Sequence, residues 1–202
     1  MTGGVRRRPL LLPCFAVLAG CGGGHATVNI PDGFTVRTVE KPALSLALPR
    51  RWQSFGDTSH TSAKSVAGGN ERLRVELETL AQSDSPIKLI GVDPGGSLHS
   101  ATNMNVLQTR VPSSLSFEHM SRIEATQIRR AAGVKRIEQE TTEVPAGRAL
   151  HLTYHPRASA LVQQYFVRHG DLLYVLTYTT PSPDGVRYAS IFDQSAHTFQ
   201  VG

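Results

Sequence analysis

The sequence predicts an α+β fold with a central antiparallel β-sheet covered by helices. Three stretches carry that prediction. Residues 161–168 and 172–180 are two arms rich in Tyr, Val, Leu, Phe and Thr, which suit a pleated, packed surface, and His169-Gly170 lies between them. Glycine supplies the positive φ of a tight hairpin turn. The second arm is apolar or aromatic on both alternating faces, so it is expected to be a central strand covered on both sides. Pro181 closes it, because proline cannot donate to a ladder. Residues 117–132 form an amphipathic helix in which Phe117, Met120, Ile128 and Ala131 share a face, Ser116 caps and Gly133 stops. A last helix follows Ser182-Pro183, a cap and a proline at the first helical position, and runs to about Ala196 with Val186, Ala189 and Phe192 inward. Hairpin strands with helices before, between and after them give an antiparallel sheet with helices packed on it.

Taken in order, residues 1–20 read as a lipoprotein signal peptide. Arg6, Arg7 and Arg8 precede an apolar run from Leu10 to Ala19. That run is too short to cross a bilayer core of about 30 Å as a helix. Leu18-Ala19-Gly20-Cys21 then matches the bacterial lipobox, in which the Cys21 thiol takes the lipid. Arg7-Arg8-Pro9-Leu10-Leu11 also resembles a twin-arginine signal, so the export route stays open between the two machineries. Residues 21–33 read as a flexible tether that begins with Gly22-Gly23-Gly24. Residues 34–202 form one domain, long enough to bury a core.

Within that domain, Phe34–Val39 and the alternating Leu44–Leu48 read as strands, the second closed by Pro49. The lone Trp52 reads as a core plug at the strand end, and residues 56–69 as loop. Residues 71–82 fit two periods. Leu73, Val75 and Leu77 alternate with charged residues, as in a strand, whereas Leu73, Leu77 and Leu80 share a helical face. The pairs Arg72/Glu76 and Arg74/Glu78 at i,i+4, the cap Asn70 and the strong helix formers favour helix. Ile87–Val92 and Met104–Val111 are strands on either side of the turn at Asp93-Pro94-Gly95-Gly96. Val134–Val144 and Ala149–Tyr154 form a second hairpin around Pro145-Ala146-Gly147.

Charge excludes one class of partner. The whole chain carries 21 Lys+Arg against 16 Asp+Glu, a net charge of +5. Three of those arginines and none of the acids lie in residues 1–20, so the remainder has 18 against 16, net +2. A pI near 9.6 therefore overstates the basicity of the processed chain. Nucleic-acid binding loses its compositional support. Without Cys14, Cys21 is the one remaining cysteine and is lipidated, so neither a disulfide nor a cysteine metal site can form within one chain.

Four constellations hold reactive side chains. His151-Leu-Thr-Tyr-His155 has the i,i+4 spacing that converges on zinc from a helix, but it reads as a strand, where four residues span about 13 Å and one metal cannot bridge them. Ser97 and His99, with Asp93 nearby, hold the residue types of a hydrolase triad without the Gly-x-Ser-x-Gly elbow, and read as a surface turn. Arg122, Arg129, Arg130, Lys135 and Arg136 gather on and after the long helix. They form either a solvated face or a surface attracted to anionic headgroups. Glu124 falls within the apolar stripe of that helix. Because an unpaired buried carboxylate is costly, it is expected to find a partner, line a cavity, or reach water at the stripe edge.

Several short motifs together resemble actinobacterial lipoproteins of the LpqN type, which are similar in fold to the PsbP-like family. They are the lipobox, Leu46-Ala-Leu-Pro49 with Trp52, Asn103-Met-Asn105, Pro145-Ala-Gly-Arg-Ala149, and Tyr174-Val-Leu-Thr-Tyr178 followed by an amphipathic helix, and they cover about residues 40–200. The Arg-over-Lys bias, 17 against 4, fits a GC-rich genome. The resemblance implies an α/β/α sandwich around a central antiparallel sheet. It also implies a docking or accessory role rather than catalysis, and it carries over no catalytic residue. The expected protein is a non-enzymatic, cofactor-free module held at the extracytoplasmic side of the cell membrane by lipidated Cys21 and bound to an envelope protein. The alternative is a carrier of a small apolar ligand or lipid between helix and sheet, with Glu124 near its mouth. A hydrolase using Ser97 is a third reading. Arg122, Arg129, Arg130 and Glu124 are the candidate binding residues.

Overall fold

The computed structural model describes residues 28–56, 65, 67, 71–80, 85–95, 102–156 and 159–202. The expected signal peptide, Cys21, most of the expected tether, Ser97 and His99 lie outside the described residues. The described elements are β1 (Phe34–Val39), β2 (Leu44–Pro49), β3 (Gln53–Phe55), α1 (Glu71–Leu80), β4 (Ile87–Val92), β5 (Asn103–Arg110), α2 (Phe117–Ala131), β6 (Ile137–Val144), β7 (Gly147–Tyr154), β8 (Ala160–His169), β9 (Leu172–Pro181), a 3-10 turn (Ser182–Asp184), α3 (Gly185–Ala196) and β10 (Gln200–Val201). Among the described helices, none is long and apolar enough to cross a membrane.

Seven strands form one antiparallel sheet in the order β3-β4-β5-β9-β8-β7-β6. The expected central strand is its middle strand: β9 pairs with β5 on one side and β8 on the other along its length. Gly170, with φ of +62°, turns the β8–β9 hairpin. The ambiguous segment 71–82 is helical from Glu71 to Leu80, and Arg74 reaches both Glu71 and Glu78. At α2 the Ser116 hydroxyl accepts from the His119 N–H at 3.2 Å, and Gly133 (φ +62°) ends the helix in the left-handed region.

The expected cover of helices is only partly there. One face of the large sheet carries α2, which packs Met120 and Ala125 on Leu150, Leu152, Phe166 and Leu173. On that same face α1 sets Leu77 beside Val92 and Ala67. The other face is closed by a second sheet. β1, β2 and β10 pair antiparallel in the order β1-β2-β10, and Leu44, Leu46 and Leu48 meet Met104, Val106, Tyr174 and Leu176 of the large sheet. α3 completes that layer with Tyr188, Phe192 and Ala196. The two sheets approach closely at Gly91, where a Cβ would meet Leu48 Cδ1 at 2.6 Å and Met104 Cγ at 3.1 Å. Trp52 is a core plug, as expected, 2% exposed and edge-on to Phe192.

β2 has an unusual second neighbour. β10 pairs only with Leu44 and Ser45. Further along, the Ala47 N–H donates to the Thr198 hydroxyl at 2.7 Å, and the Ser195 hydroxyl donates to the Ala47 carbonyl at 2.7 Å. Side chains after α3 thus continue the ladder where the strand stops, and Ala47 is fully buried without strand pairing on that side.

Five local expectations are corrected. Val186 is 95% exposed rather than inward, because at about 100° per residue it lies roughly 120° around α3 from Phe192, and the buried face runs through Tyr188, Phe192, Ser195 and Ala196. Ser182 does not cap; its hydroxyl is buried without a partner among the described residues. Ala131 is exposed, and the buried stripe of α2 runs through Met120, Ser121 and Ala125. Residues 134–136 are not strand; β6 starts at Ile137. Ser65 and Ala67, expected in a loop, are helical.

Candidate functional site

α2 carries the sequence-predicted binding residues on two opposite sides. At about 100° per residue, Arg122 and Arg129 share one side and Arg130 lies next to them. All three are exposed, as are Lys135 and Arg136 in the turn to β6. Arg136 bridges Glu138 at 3.3 Å, whereas Arg122, Arg129, Arg130 and Lys135 form no ion pair among the described residues. The acid of the first turn, Glu118, is held by Arg148 at 2.8 Å, and the Arg148 guanidinium lies 4.3 Å over the Phe117 ring.

Glu124 sits on the sheet side of α2, half-buried. No hydrogen bond or ion pair reaches it among the described residues, and burial pushes its carboxyl above the ordinary range. The sheet face that α2 covers includes a polar chain. The Tyr154 hydroxyl donates to Gln164 Oε1 at 2.9 Å, and Gln164 Nε2 donates to the Thr177 hydroxyl at 2.9 Å. Burial raises the Tyr154 phenol above its ordinary value. Among the described residues, depressions open at two further places. One of about 680 Å³ lies beside β10, lined by residues that include Glu40, Ser45, Pro145 and Gln200. One of about 260 Å³ lies at the end of α2, lined by Val134, Lys135, Arg136, Glu138, Thr153, Tyr154 and His155.

The reactive residues of the sequence fall into structural roles. Asp93 ends β4, and its carboxylate accepts from Arg51 Nη2 at 2.8 Å, from the Gly95 N–H at 3.0 Å and from the Tyr188 hydroxyl. Burial alone would raise its pKa, but the hydrogen bonds from Tyr188 and Gly95 and the charge of Arg51 outweigh burial and hold the carboxyl below the ordinary range. Asp93 thereby ties β4 to the β2–β3 turn and to α3. His151 and His155 do not converge. His155 Nδ1 meets the Ala160 carbonyl at 3.0 Å, while His151 is buried in the sheet. No group of three His, Cys, Asp or Glu side chains suited to a metal is present among the described residues.

Sequence reasoning missed a polar cluster on the α3 side of the sheet. His151 stacks on Tyr165 at 4.2 Å, with Nδ1 2.7 Å from Glu140 Oε1 and Nε2 3.2 Å from the Thr153 hydroxyl. Tyr165 donates to the Asp193 carboxylate of α3. Burial first, then Asp193, pushes its phenol far above the ordinary range. Glu140, His151 and Tyr165 are direct partners across β6, β7 and β8, so the signal lay in the register of two hairpins and not in any linear motif. Arg168 was missed as well. It lies at the end of β8, half-buried, and donates to the carbonyls of Ser113 at 3.0 Å, Gly170 at 3.0 Å and Leu115. It pins the loop that leads into α2.

No family model and no curated protein matches the sequence. Among solved structures the chain is similar to cyanobacterial PsbP (CyanoP) of Synechocystis, with a TM-score of 0.53 at 14% identity over 92% of this chain and 99% of that one. It is also similar to the Ran-binding protein Mog1p of Saccharomyces cerevisiae, with a TM-score of 0.51 at 10% identity over 87% of this chain and 96% of that one. At such identities the likeness concerns the backbone and not the chemistry. Mixed α+β secondary structure, antiparallel sheets and these neighbours together make this a PsbP-like fold.

Proposed function

We propose that the chain is a lipid-anchored extracytoplasmic module of the LpqN type that docks onto a protein of the cell envelope. The observation that carries this reading is the lipobox Leu18-Ala19-Gly20-Cys21 placed before a glycine-rich tether and a folded unit. The fold supports it, since Mog1p, which shares it, is a Ran-binding protein. The hydrolase reading is weakened because Asp93 is already committed to Arg51, Tyr188 and Gly95. The carrier reading draws on the unpartnered Glu124. Against it, the layer beneath α2 is filled by Met120, Ala125, Leu150, Leu152, Phe166 and Leu173, and the depression of about 260 Å³ reaches that layer only at Val134 and Tyr154.

The test has two arms in bacterial cells that express the full chain. Cys21→Ala should move the protein from the detergent phase to the aqueous phase; a mutant that still partitions into detergent refutes the anchor. Photo-crosslinkers placed on the domain should give one recurrent envelope protein by mass spectrometry. Stoichiometric lipid extracted from the purified chain, without such a crosslink, would replace docking by the carrier.

A further inference from the structure

We infer that the solvent face of α2, continued into the turn before β6, is a second membrane contact that lies against anionic lipid headgroups. The inference rests on the lipid-anchored reading for proximity, and on three observations of its own for the choice of face and partner. The first is charge. Arg122, Arg129 and Arg130 are exposed along one side of α2, Lys135 follows, and none of the four is neutralised by an ion pair among the described residues. Of the helix acids, Glu124 faces the sheet; Glu118 lies one turn before Arg122 on the cationic side, where it is paired with Arg148 and also feels the charge of Arg122, so that side keeps a net positive charge.

The second observation is shape. The depression of about 260 Å³ opens where this face ends, with Lys135, Arg136 and His155 among its lining residues. A cationic rim suits a phosphate-bearing headgroup; Glu138, which bridges Arg136, is the one acid among the lining residues. The third is what the face lacks. The exposed large apolar side chains among the described residues are Val36, Val75 and Val186, none of them on α2. Protein interfaces concentrate their energy in buried aromatic and apolar anchors. A row of cations without an anchor fits a diffuse field, which is what a charged bilayer presents.

The expected tether supplies the reach: the ten residues before Pro31, whose carbonyl already accepts from the Phe34 N–H, would span about 17 Å as a coil, so a lipid at Cys21 would leave the domain free to turn. The face that the bilayer attracts then sets the orientation. With α2 down, the small sheet and α3, on the opposite side of the large sheet, point away from the membrane and stay open to a protein partner.

Co-sedimentation of the full chain with vesicles tests this, comparing phosphatidylcholine alone with phosphatidylcholine plus phosphatidylglycerol. All variants keep the same N-terminus, so its contribution cancels. A basic residue held near an anionic membrane surface is worth roughly a fivefold gain in partitioning, and three together about a hundredfold. The triple change Arg122→Gln, Arg129→Gln, Arg130→Gln should therefore lower binding to anionic vesicles by about a hundredfold and leave binding to neutral ones unchanged. The matched change Lys41→Gln, Arg50→Gln, Arg187→Gln removes the same charge from the opposite layer and should cost little. Equal losses from both sets, or no preference of the wild type for anionic vesicles, overturn the inference. A crosslinked acidic protein on Arg129, with vesicle binding intact in the triple variant, overturns it in favour of a protein contact. Trp52 fluorescence reports folding, and should the triple variant unfold, Arg122→Gln alone is read for a fivefold loss by the same rule. The Cys21→Ala partition is independent of all these outcomes, so failure of the anchor and failure of the face are told apart.

Discussion

Replacing Leu176 by alanine removes about three carbon groups from the middle of the central strand. Leu176 is fully buried, in the cluster that joins the large sheet to the small one. Val106 of β5 and Tyr165 of β8 are its direct partners. Losing three buried groups forfeits about 2.4 kcal/mol of transfer free energy at roughly 0.8 each. A cavity term adds to this when the surroundings cannot close in. Here they are stiff: Tyr165 and Tyr178 meet edge to face with centroids 6.0 Å apart, and Tyr178 stacks on Phe192 at 5.0 Å. The expected loss is therefore about 3–5 kcal/mol, a large part of a total stability that is usually about 5–15 kcal/mol. Urea melts followed by the fluorescence of Trp52 would read it as a lower midpoint at unchanged slope. Val186→Ala, at a site 95% exposed on α3, is the control and should shift stability by under about 0.5 kcal/mol. Equal, small effects from both substitutions would mean that β9 is not the packed centre of the sheet.

Arg168→Ala should cost about 1–3 kcal/mol in the same melts, because it strips charged donors from the carbonyls of Ser113, Leu115 and Gly170. Arg168→Lys should recover only part of that, since an ammonium cannot span the same carbonyls, and a cost below about 0.5 kcal/mol for alanine would mean that the loop holds itself. Glu124→Gln should stabilise the fold at pH 7 by up to about 1 kcal/mol, allowing for solvent screening at a half-exposed group. The sign follows from the raised pKa of Glu124: the folded state favours the protonated carboxyl, so ionisation costs stability as pH rises from the ordinary 4.5 through the folded value. Below 4.5 the glutamine should have no advantage, and an advantage that persists there would show that charge is not the cause.

The large sheet was legible because its strands carry their own partners with them. β8 and β9 are joined by Gly170, β6 and β7 by a two-residue turn, and such hairpins declare themselves in sequence. α2 was legible from its cap and its stop. The second sheet was not, because β1 and β2 read like any other strands and their third partner is two residues long. A pair too short to show alternation leaves no pattern to find. The misplacement of Val186 has another origin: steps of three residues drift around a helix of about 3.6 residues per turn, so 186, 189 and 192 do not hold one face. Of the site, the cations of α2 and the exceptional position of Glu124 could be read from the helical wheel. The stack of His151 on Tyr165 could not, because it depends on two registers at once.

The capping of β2 by residues after α3 has a bearing on how the chain is made. Ser45 and its hydrogen-bond partner Gln200 stand 155 positions apart, and the Ala47 backbone waits for Ser195 and Thr198 across nearly the same interval. A nascent chain can form the β1–β2 hairpin early, yet Leu44, Leu46 and Leu48 gain their cover from β9 and α3 only when synthesis has passed residue 196. Contacts of such long sequence separation slow folding, because loop closure is opposed by chain entropy before packing rewards it. Completion of the domain is thus tied to its last residues.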